Sequence, residues 1–374
     1  MTDWPVKTLG EVCQIEMGRT PSRGESKGWD KELKTSNHWA SIADLTACRG
    51  RVLSSTKERI SDFAARTTKV VPAGTLMMSF KLSIGKLAFA GCDLYTNEAI
   101  AAFHLPEQSD VDSEFLYWAL KVVDWASLTK GSEKVKGATM NKAKLNLLEI
   151  PVPPLEEQKR IVALLDAATE RITELTACYE HARTHANNLF TSALRDELES
   201  NPDCPVRTLG EICELQRGHD LPTPERRDGN VPILGSTGIT GYHDVARYGG
   251  PGVAIGRSGF IGGAQYCESP YWPLNTCLFV RDFFGNSPRW VYYFLKSIDF
   301  SQYNSGTTQP SLNRNNLSGI TLKTPSLDEQ KQIVARLDAM RAKTSEMVAA
   351  YDAKLTAAKN LHQSILEAAF AGEL

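Results

Sequence analysis

Two stretches of the chain carry apolar residues in alternating steps of four and three. The first follows Pro151-Val152-Pro153-Pro154 and places Ile161, Leu165, Ala168, Ile172, Leu175, Tyr179, Ala182, Ala186, Leu189 and Ala193 on one face, with no Gly or Pro before Asn201-Pro202. The second follows Pro325 and places Ile333, Leu337, Met340, Thr344, Met347, Tyr351, Lys354, Ala358, Leu361 and Ile365 likewise. Such steps are the a/d spacing of a coiled coil. Thr344 and Lys354 weaken the second seam, although Val348 and Leu355 lie beside it. Each stretch predicts a helix of about 43 residues, roughly 65 Å long at about 1.5 Å per residue. Ordinary amphipathic surface helices would also show an apolar face, but unbroken heptads in two copies are hard to obtain from a generic core face. The alternation of Ala with larger residues permits close approach, so an antiparallel intramolecular pair is expected. Prolines mark both starts, because proline cannot sit inside a helix, and Asn201-Pro202 is expected to end the first.

Between these stretches the period changes. Short β-branched or aromatic runs bounded by Gly, Ser, Thr and Pro predict strands at Lys69–Val71, Thr75–Phe80, Lys86–Phe89, Gly252–Ile255 and Cys277–Val280. Each segment also holds one aromatic helix, Ser113–Leu120 or Pro288–Leu295. Its rings are expected to pack a core rather than to stack on bases. Each segment is therefore an α+β head.

The layout is written twice. Leu9-Gly10-Glu11 recurs as Leu209-Gly210-Glu211, and Leu155-Glu156-Glu157-Gln158 recurs as Leu327-Asp328-Glu329-Gln330. The first pair is offset by 200 residues and the second by 172, so a fixed frame surrounds inserts that differ by 28 residues. A chain built this way presents two similar but non-identical surfaces about a pseudo-twofold axis, suited to reading two different things a set distance apart.

Composition narrows the class. The 374 residues allow two to four domains, and 42% hydrophobic with 23% charged residues is ordinary for a globular protein. No apolar run reaches the roughly 20 residues of a membrane span, and no signal-like apolar stretch opens the chain. The eight cysteines form no CxxC pair, so neither a zinc site nor a disulfide framework is suggested and a cytoplasmic setting is expected. Cys13 and Cys213 occupy equivalent positions and read as small buried hydrophobes. His38, His104, His219 and His243 lack metal-like spacing. A net charge of −2 argues mildly against nonspecific nucleic-acid binding. No Walker A loop, Asn-Pro-Pro-Tyr or Asp-Pro-Pro-Tyr methyltransferase motif, or credible Gly-x-Gly dinucleotide loop is present, so a non-catalytic chain is expected.

Several features together resemble the specificity subunit of Type I restriction–modification systems. They are the Leu-Gly-Glu opening, Gly18-Arg19-Thr20-Pro21, Ser83-Ile84-Gly85-Lys86 followed by Asn97-Glu98-Ala99-Ile100, and the Pro-x-x-Glu-Gln-x-x-Ile-Val entry to a long helix, all within a duplicated layout. The resemblance implies an α+β fold in which two α/β target-recognition domains are separated by two long helices that pair as an antiparallel intramolecular coiled coil. The first recognition domain would occupy residues 1–150 and the second 209–322, with spacer regions at 151–208 and 323–374. The resemblance further implies double-stranded DNA with a bipartite target as ligand, two modification (methyltransferase) subunits as partners, and restriction subunits as further possible partners. No membrane association is implied. No cofactor would be bound by this chain; S-adenosylmethionine, ATP and Mg would serve the partner subunits. The second copy departs from the pattern, with Gly218-His219-Asp220-Leu221-Pro222 in place of Gly-Arg-Thr-Pro and Gly256-Arg257-Ser258-Gly259 standing where the first has Ser83–Lys86.

On this reading the candidate DNA-binding residues are Arg19, Arg23 and Lys27 on a polar loop and Lys81, Ser83 and Lys86 around Gly85. In the second head they are Arg217, Arg226 and Arg227, with Arg257 and Ser258 on the glycine loop. Arg and Lys reach guanine edges or phosphates, and Ser mostly phosphates. Solvated surface charge is the plain alternative for each. Asn97 and Asn275, which follow apolar strands, are expected to serve turns. The helix-pair interface is assigned to Ile161, Leu165, Ile172, Leu175, Tyr179, Leu189, Ile333, Leu337, Met340, Met347, Tyr351, Leu361 and Ile365.

Overall fold

A computed structural model describes residues 4–24, 26–129, 138–199, 203–306 and 308–374. Asn201-Pro202, expected to end the first long helix, lie outside the described residues. The two helices run Leu155–Glu199 and Leu327–Ala371, 45 residues each and offset by the repeat distance at both ends. The second starts at a capping box: Ser326 and Glu329 exchange side-chain-to-backbone hydrogen bonds of 3.0 and 3.4 Å.

Contacts divide the chain into two compact units, 1–176 with 357–374, and 177–356. The division crosses both long helices. In the first unit Ile161 and Leu165 from one helix, and Leu366 and Ala369 from the other, are buried in one core with Phe115, Trp118 and Leu120. In the second, Ile333 and Leu337 join Phe190, Leu194 and Leu198 around Trp290 and Tyr293. Each head's aromatic helix, Ser113–Val122 or Pro288–Ser297, is buried along most of its length and needs a second apolar layer. Two helix ends supply that layer.

The sheets of the two heads share a frame. In the first, Gln14–Met17, Ile100–His104, Leu76–Ser79 and Leu87–Ala90 lie side by side and antiparallel, with Val52–Leu53 added in parallel at the edge. In the second, Glu214–Arg217, Cys277–Asp282, Gly252–Gly256 and Gly262–Cys267 repeat that order. Each head adds a three-stranded sheet with one parallel pair, Ala40 beside Thr96 and Leu234 beside Pro273. A two-stranded ribbon closes each head, Val6–Thr8 with Glu149–Pro151 and Val206–Thr208 with Thr321–Lys323. The Leu-Gly-Glu motif serves this closure. Glu11 accepts from the Thr8 N–H and hydroxyl at 2.7 Å each, Glu211 repeats the pattern with Thr208, and Leu9 and Leu209 are buried beneath. Cys13 and Cys213 are buried beside them, and burial pushes both thiols up to about 12.

The long helices pair antiparallel. In the first unit Arg160 donates to the Leu374 carbonyl at 2.6 Å, and Thr169 lies 3.1 Å from His362. In the second, Arg183 meets Asp352 at 2.9 Å and Glu197 meets Arg336 at 2.7 Å. Tyr179 packs on its own repeat equivalent, Tyr351, with ring centroids 6.4 Å apart.

The seam differs from the expected one at positions 175, 189, 354 and 361. Leu175, Leu189 and Leu361 are exposed, at 46, 50 and 52%, and do not belong to the interface. Their places are taken by Thr176, Phe190 and His362, one residue further on, and Leu355 is buried where Lys354 was expected. Threonine suits a seam because its hydroxyl is satisfied inside its own helix. Thr169, Thr176 and Thr344 bond the carbonyls of Leu165, Ile172 and Met340 at 2.7, 2.7 and 3.0 Å. Of the remaining assigned residues, Ile161, Leu165, Ile333 and Leu337 are buried in the head cores, while Ile172, Tyr179, Met340, Met347, Tyr351 and Ile365 are half-buried.

Two repeated polar locks tie each head to its following helix. Gln158 is fully buried; it accepts from the Asp112 N–H at 2.8 Å and donates to the Asp110 and Pro153 carbonyls at 2.8 and 2.7 Å. Gln330 accepts from the Ser287 N–H at 2.9 Å and donates to the Asn286 side-chain oxygen and the Pro325 carbonyl at 2.8 and 3.0 Å. About two turns further along, Asp166 accepts from Arg51 and from the Trp118 indole at 2.9 Å. Its equivalent, Asp338, accepts from Arg289 at 2.9 Å and from the Tyr293 hydroxyl.

Candidate nucleic-acid interface

In each head the first sheet strand, Gln14–Met17 or Glu214–Arg217, runs into a polar loop held by a close backbone approach. Gly18 and Gly218 allow it: a Cβ there would lie 1.9 Å from the Thr96 carbonyl oxygen or 2.1 Å from that of Leu274. The next residues, Arg19 and His219, donate their N–H to Thr96 and Pro273, each at 2.8 Å. The loop thus sits beside the turn that precedes the return strand, Ile100–His104 or Cys277–Asp282.

A second backbone anchor sets the neighbouring loop. Phe80 donates to Ala99 at 2.9 Å and accepts from Met140 at 3.0 Å; Arg257 donates to Thr276 at 2.9 Å and accepts from Leu312 at 2.8 Å. Arg257 therefore occupies the place of Phe80, and Ser258, bridged to Ser311, that of Lys81, paired with Thr139. The expected match of Gly256–Gly259 to Ser83–Lys86 is corrected by this register. A similar shift separates the two asparagines. Asn97 and Leu274 make the equivalent bonds to Ala40 and Leu234, at 3.0 and 2.8 Å, so Asn275 corresponds to Glu98. Asn97 serves its turn as expected, accepting from Ala99 at 3.0 Å.

The basic candidates fall into two groups. Arg19, Lys27 and Lys86 are exposed, and their charged groups have no partner among the described residues. Arg23 is engaged: it pairs with both Glu58 oxygens, at 2.5 and 3.0 Å, and lies 3.9 Å over the Trp29 ring. Lys81 lies beside the Phe80 ring at 5.2 Å. Ser83 is exposed, its carbonyl accepting from Ser79 while the Ser79 hydroxyl also accepts from the Lys86 N–H at 3.1 Å. These bonds shape the 81–86 loop and leave the Ser83 hydroxyl and the Lys86 amine outward.

In the second head Arg217 is exposed and close to Arg257. The Arg257 guanidinium donates to the Asn275 carbonyl at 3.0 Å; burial, then the Arg217 charge, lowers its pKa. Two adjacent cations of this kind favour an anion between them. Arg226 is held by the Leu221 and Thr240 carbonyls at 3.3 and 3.5 Å, and Arg227 by Asp244 at 2.9 Å. Ser258 is half-buried. Arg23, Arg226 and Arg227 thus have structural partners, Arg257 is bonded through Nε, and Arg19, Lys27, Lys81, Lys86 and Arg217 remain open to a ligand.

The loop-to-turn contacts were not foreseen. The Thr20 hydroxyl donates to the Glu98 carboxylate, and the Asn275 amide donates to Asp220. The Thr20 bond, with help from the Lys81 and Arg23 charges, holds the Glu98 carboxyl below the usual range and keeps it ionised. His219 lies 2.9 Å from the Tyr248 hydroxyl, and burial followed by the Arg247 charge lowers its pKa. Sequence spacing carries no trace of these pairs, which join positions 78, 55 and 29 residues apart.

Among the described residues no helix is long and apolar enough to cross a membrane, and no group of three or more His, Cys, Asp or Glu could hold a metal ion.

Comparison with known proteins agrees with this duplicated frame. The sequence model of the Type I restriction modification DNA specificity domain matches twice, over residues 1–179 and 201–357. The Type I restriction enzyme EcoprrI specificity subunit of Escherichia coli is 25% identical over 369 residues, covering 94% of this chain and 91% of that protein. The EcoDI specificity subunit, also from Escherichia coli, is 23% identical over 100% of this chain and 89% of its own. Two solved structures share the fold. One is a chain from work on complex assembly and conformational transition of a type I R-M system, with TM-score 0.81, 21% identity and coverage of 99 and 98%. The other is the HsdS subunit from Thermoanaerobacter tengcongensis, with TM-score 0.59, 22% identity and coverage of 99 and 97%. The chain belongs to the Type I restriction–modification DNA specificity family, and its role is DNA recognition.

Proposed function

We propose that the two heads read the two unlike halves of a bipartite duplex site, and that the paired long helices set the unread gap between them. The supporting observation is one backbone frame used twice with different side chains at its loops: Thr20, Lys81 and Glu98 in the first head, Asp220, Ser258 and Asn275 in the second. Cations beside these loops, Arg19, Lys81 and Lys86 or Arg217 and Arg257, serve the phosphates. The chain itself does no chemistry. Two modification subunits dock on it and carry S-adenosylmethionine, and restriction subunits, where present, use ATP and Mg. The exposed Leu189 and Leu361 are repeat equivalents, and they support two copies of one partner better than two different ones.

Sequencing methylated adenines in the host genome tests the proposal. A split motif with a fixed gap is expected. Selection of random duplexes by gel shift separates two rival readings. A two-headed protein scaffold would enrich no bipartite sequence, and a stand-alone regulator would bind its site tightly without any modification subunit. The proposed function requires specific binding that improves when a modification subunit is added.

A further inference from the structure

In both heads one side-chain hydrogen bond joins the loop after the first sheet strand to the turn before the return strand, and the two bonds differ in chemistry. Thr20 donates to Glu98 in the first head, and Asn275 donates to Asp220 in the second. The anchors at Arg19 and His219, and at Phe80 and Arg257, make the four residues two equivalent pairs. A frame kept while its side chains change is where two heads of one chain can differ in what they accept.

Glu98 is exposed and ionised, and its carboxylate accepts from the Thr20 hydroxyl. A carboxylate only accepts hydrogen bonds. Close to a duplex it is repelled by phosphates unless it meets a donor. The donors of the major groove are the amino groups of cytosine and adenine, whereas guanine O6 and thymine O4 present lone pairs. Glu98 therefore favours an amino-bearing base and rejects the others, while Lys81 and Arg23 nearby offset its repulsion from the backbone. Asn275 is different. One amide N–H is used by Asp220, leaving a second N–H and the carbonyl oxygen. That donor–acceptor pair matches N7 and the amino group of adenine.

We propose that these equivalent links are specificity-determining elements: Glu98 selects a base with a major-groove amino group in one half-site, and Asn275 selects adenine in the other. The inference rests on the reading that the heads bind duplex DNA, and its test separates the two.

The full chain, assembled with modification subunits, is used to select random duplexes, and the wild type is compared with Glu98→Gln and Asn275→Ala. Both positions are at the surface or half-buried, and melting temperatures of the assembled proteins check that folding is kept. Glu98→Gln is expected to weaken the preference at one position of one half-site by roughly tenfold or more, admitting guanine or thymine. The other half-site and the gap should stay unchanged. Asn275→Ala should relax an adenine position in the opposite half-site. An unchanged motif in both variants would overturn the proposal and leave DNA reading intact. So would a uniform affinity gain for Glu98→Gln across all sequences, which would make the carboxylate a charge effect only. A wild-type complex that selects no motif would overturn both.

Discussion

Replacing Gln158 with alanine removes three hydrogen bonds that tie the first head to its helix: the Asp112 N–H, the Asp110 carbonyl and the Pro153 carbonyl, at 2.8, 2.8 and 2.7 Å. Only the Pro153 group is in fully buried surroundings; the other two can regain water in part. An orphaned buried carbonyl costs about 2 kcal/mol, and two partly solvated bonds contribute about 0.5–1 kcal/mol each, so the loss should be about 3 kcal/mol. The Gln158→Glu change should be worse than Gln158→Ala, despite the similar shape of the new side chain. A carboxylate keeps the acceptor for Asp112 but loses both donors and sets a buried charge against two carbonyl oxygens. Global denaturation is a poor assay for a chain of two units, because one two-state transition is not expected. Native-state hydrogen exchange is better. The amides of Ser113–Val122 should open about a hundredfold more readily in Gln158→Ala, and those of Pro288–Ser297 should respond in the same way to Gln330→Ala. A change below about 0.5 kcal/mol, or a Gln158→Glu variant milder than Gln158→Ala, would refute this account of the lock.

Three further outcomes are expected. Adding one heptad to both long helices, after Tyr179 and after Tyr351, lengthens each by about 10.5 Å, or about three base pairs, so methylome sequencing should find the same half-sites with a gap longer by that amount; an unchanged gap would remove the helices as the ruler. Arg19→Ala should make the dependence of log K on log salt shallower by about 0.9 in binding titrations, whereas Arg227→Ala, already paired with Asp244, should leave the slope as it was. His362 packs on Trp118 and Thr169, and burial, then the Lys121 charge, depresses its pKa. The unfolded chain takes up that proton near pH 6.5, before the folded one does, so stability should fall as pH drops below that value, and His362→Gln should flatten the trend in hydrogen-exchange protection of Ser113–Val122.

The sequence-level reading worked where a signal repeats and failed where one residue decides. Heptads over 45 residues and a frame written twice are redundant, so the helices, their antiparallel pairing and the two heads were legible from Ile161 to Ala193 and from Leu9-Gly10-Glu11 alone. Seam positions were not. Leu175 and Thr176 both lie near the same face, and hydrophobicity favours the leucine, yet Thr176 can hide its hydroxyl on Ile172 and leave Leu175 outside. The same one-residue ambiguity moved Arg257 from a glycine loop to the place of Phe80, and the turn residue Asn275 falls at the place of Glu98. Both placements are set by backbone bonds to partners far along the chain, which composition and spacing cannot encode.

That contrast explains how such a chain can change its target without losing its fold. The residues fixed in both copies act on backbone and core: Glu11 and Glu211 on the closing ribbon, Gln158 and Gln330 on the helix starts, Asp166 and Asp338 on the helix bodies. The residues that differ hang from that frame at its loops, where Thr20 bonds Glu98 and Asn275 bonds Asp220. Exchanging such a pair disturbs no buried group, so its stability effect should stay within about 0.5 kcal/mol while its effect on base choice is tenfold or more. The double change Thr20→Asp with Glu98→Asn, which carries the second head's pair into the first, should therefore melt like the parent and select a different base in one half-site. A variant that unfolds instead would mean that the frame and the reading surface are not separable in this protein.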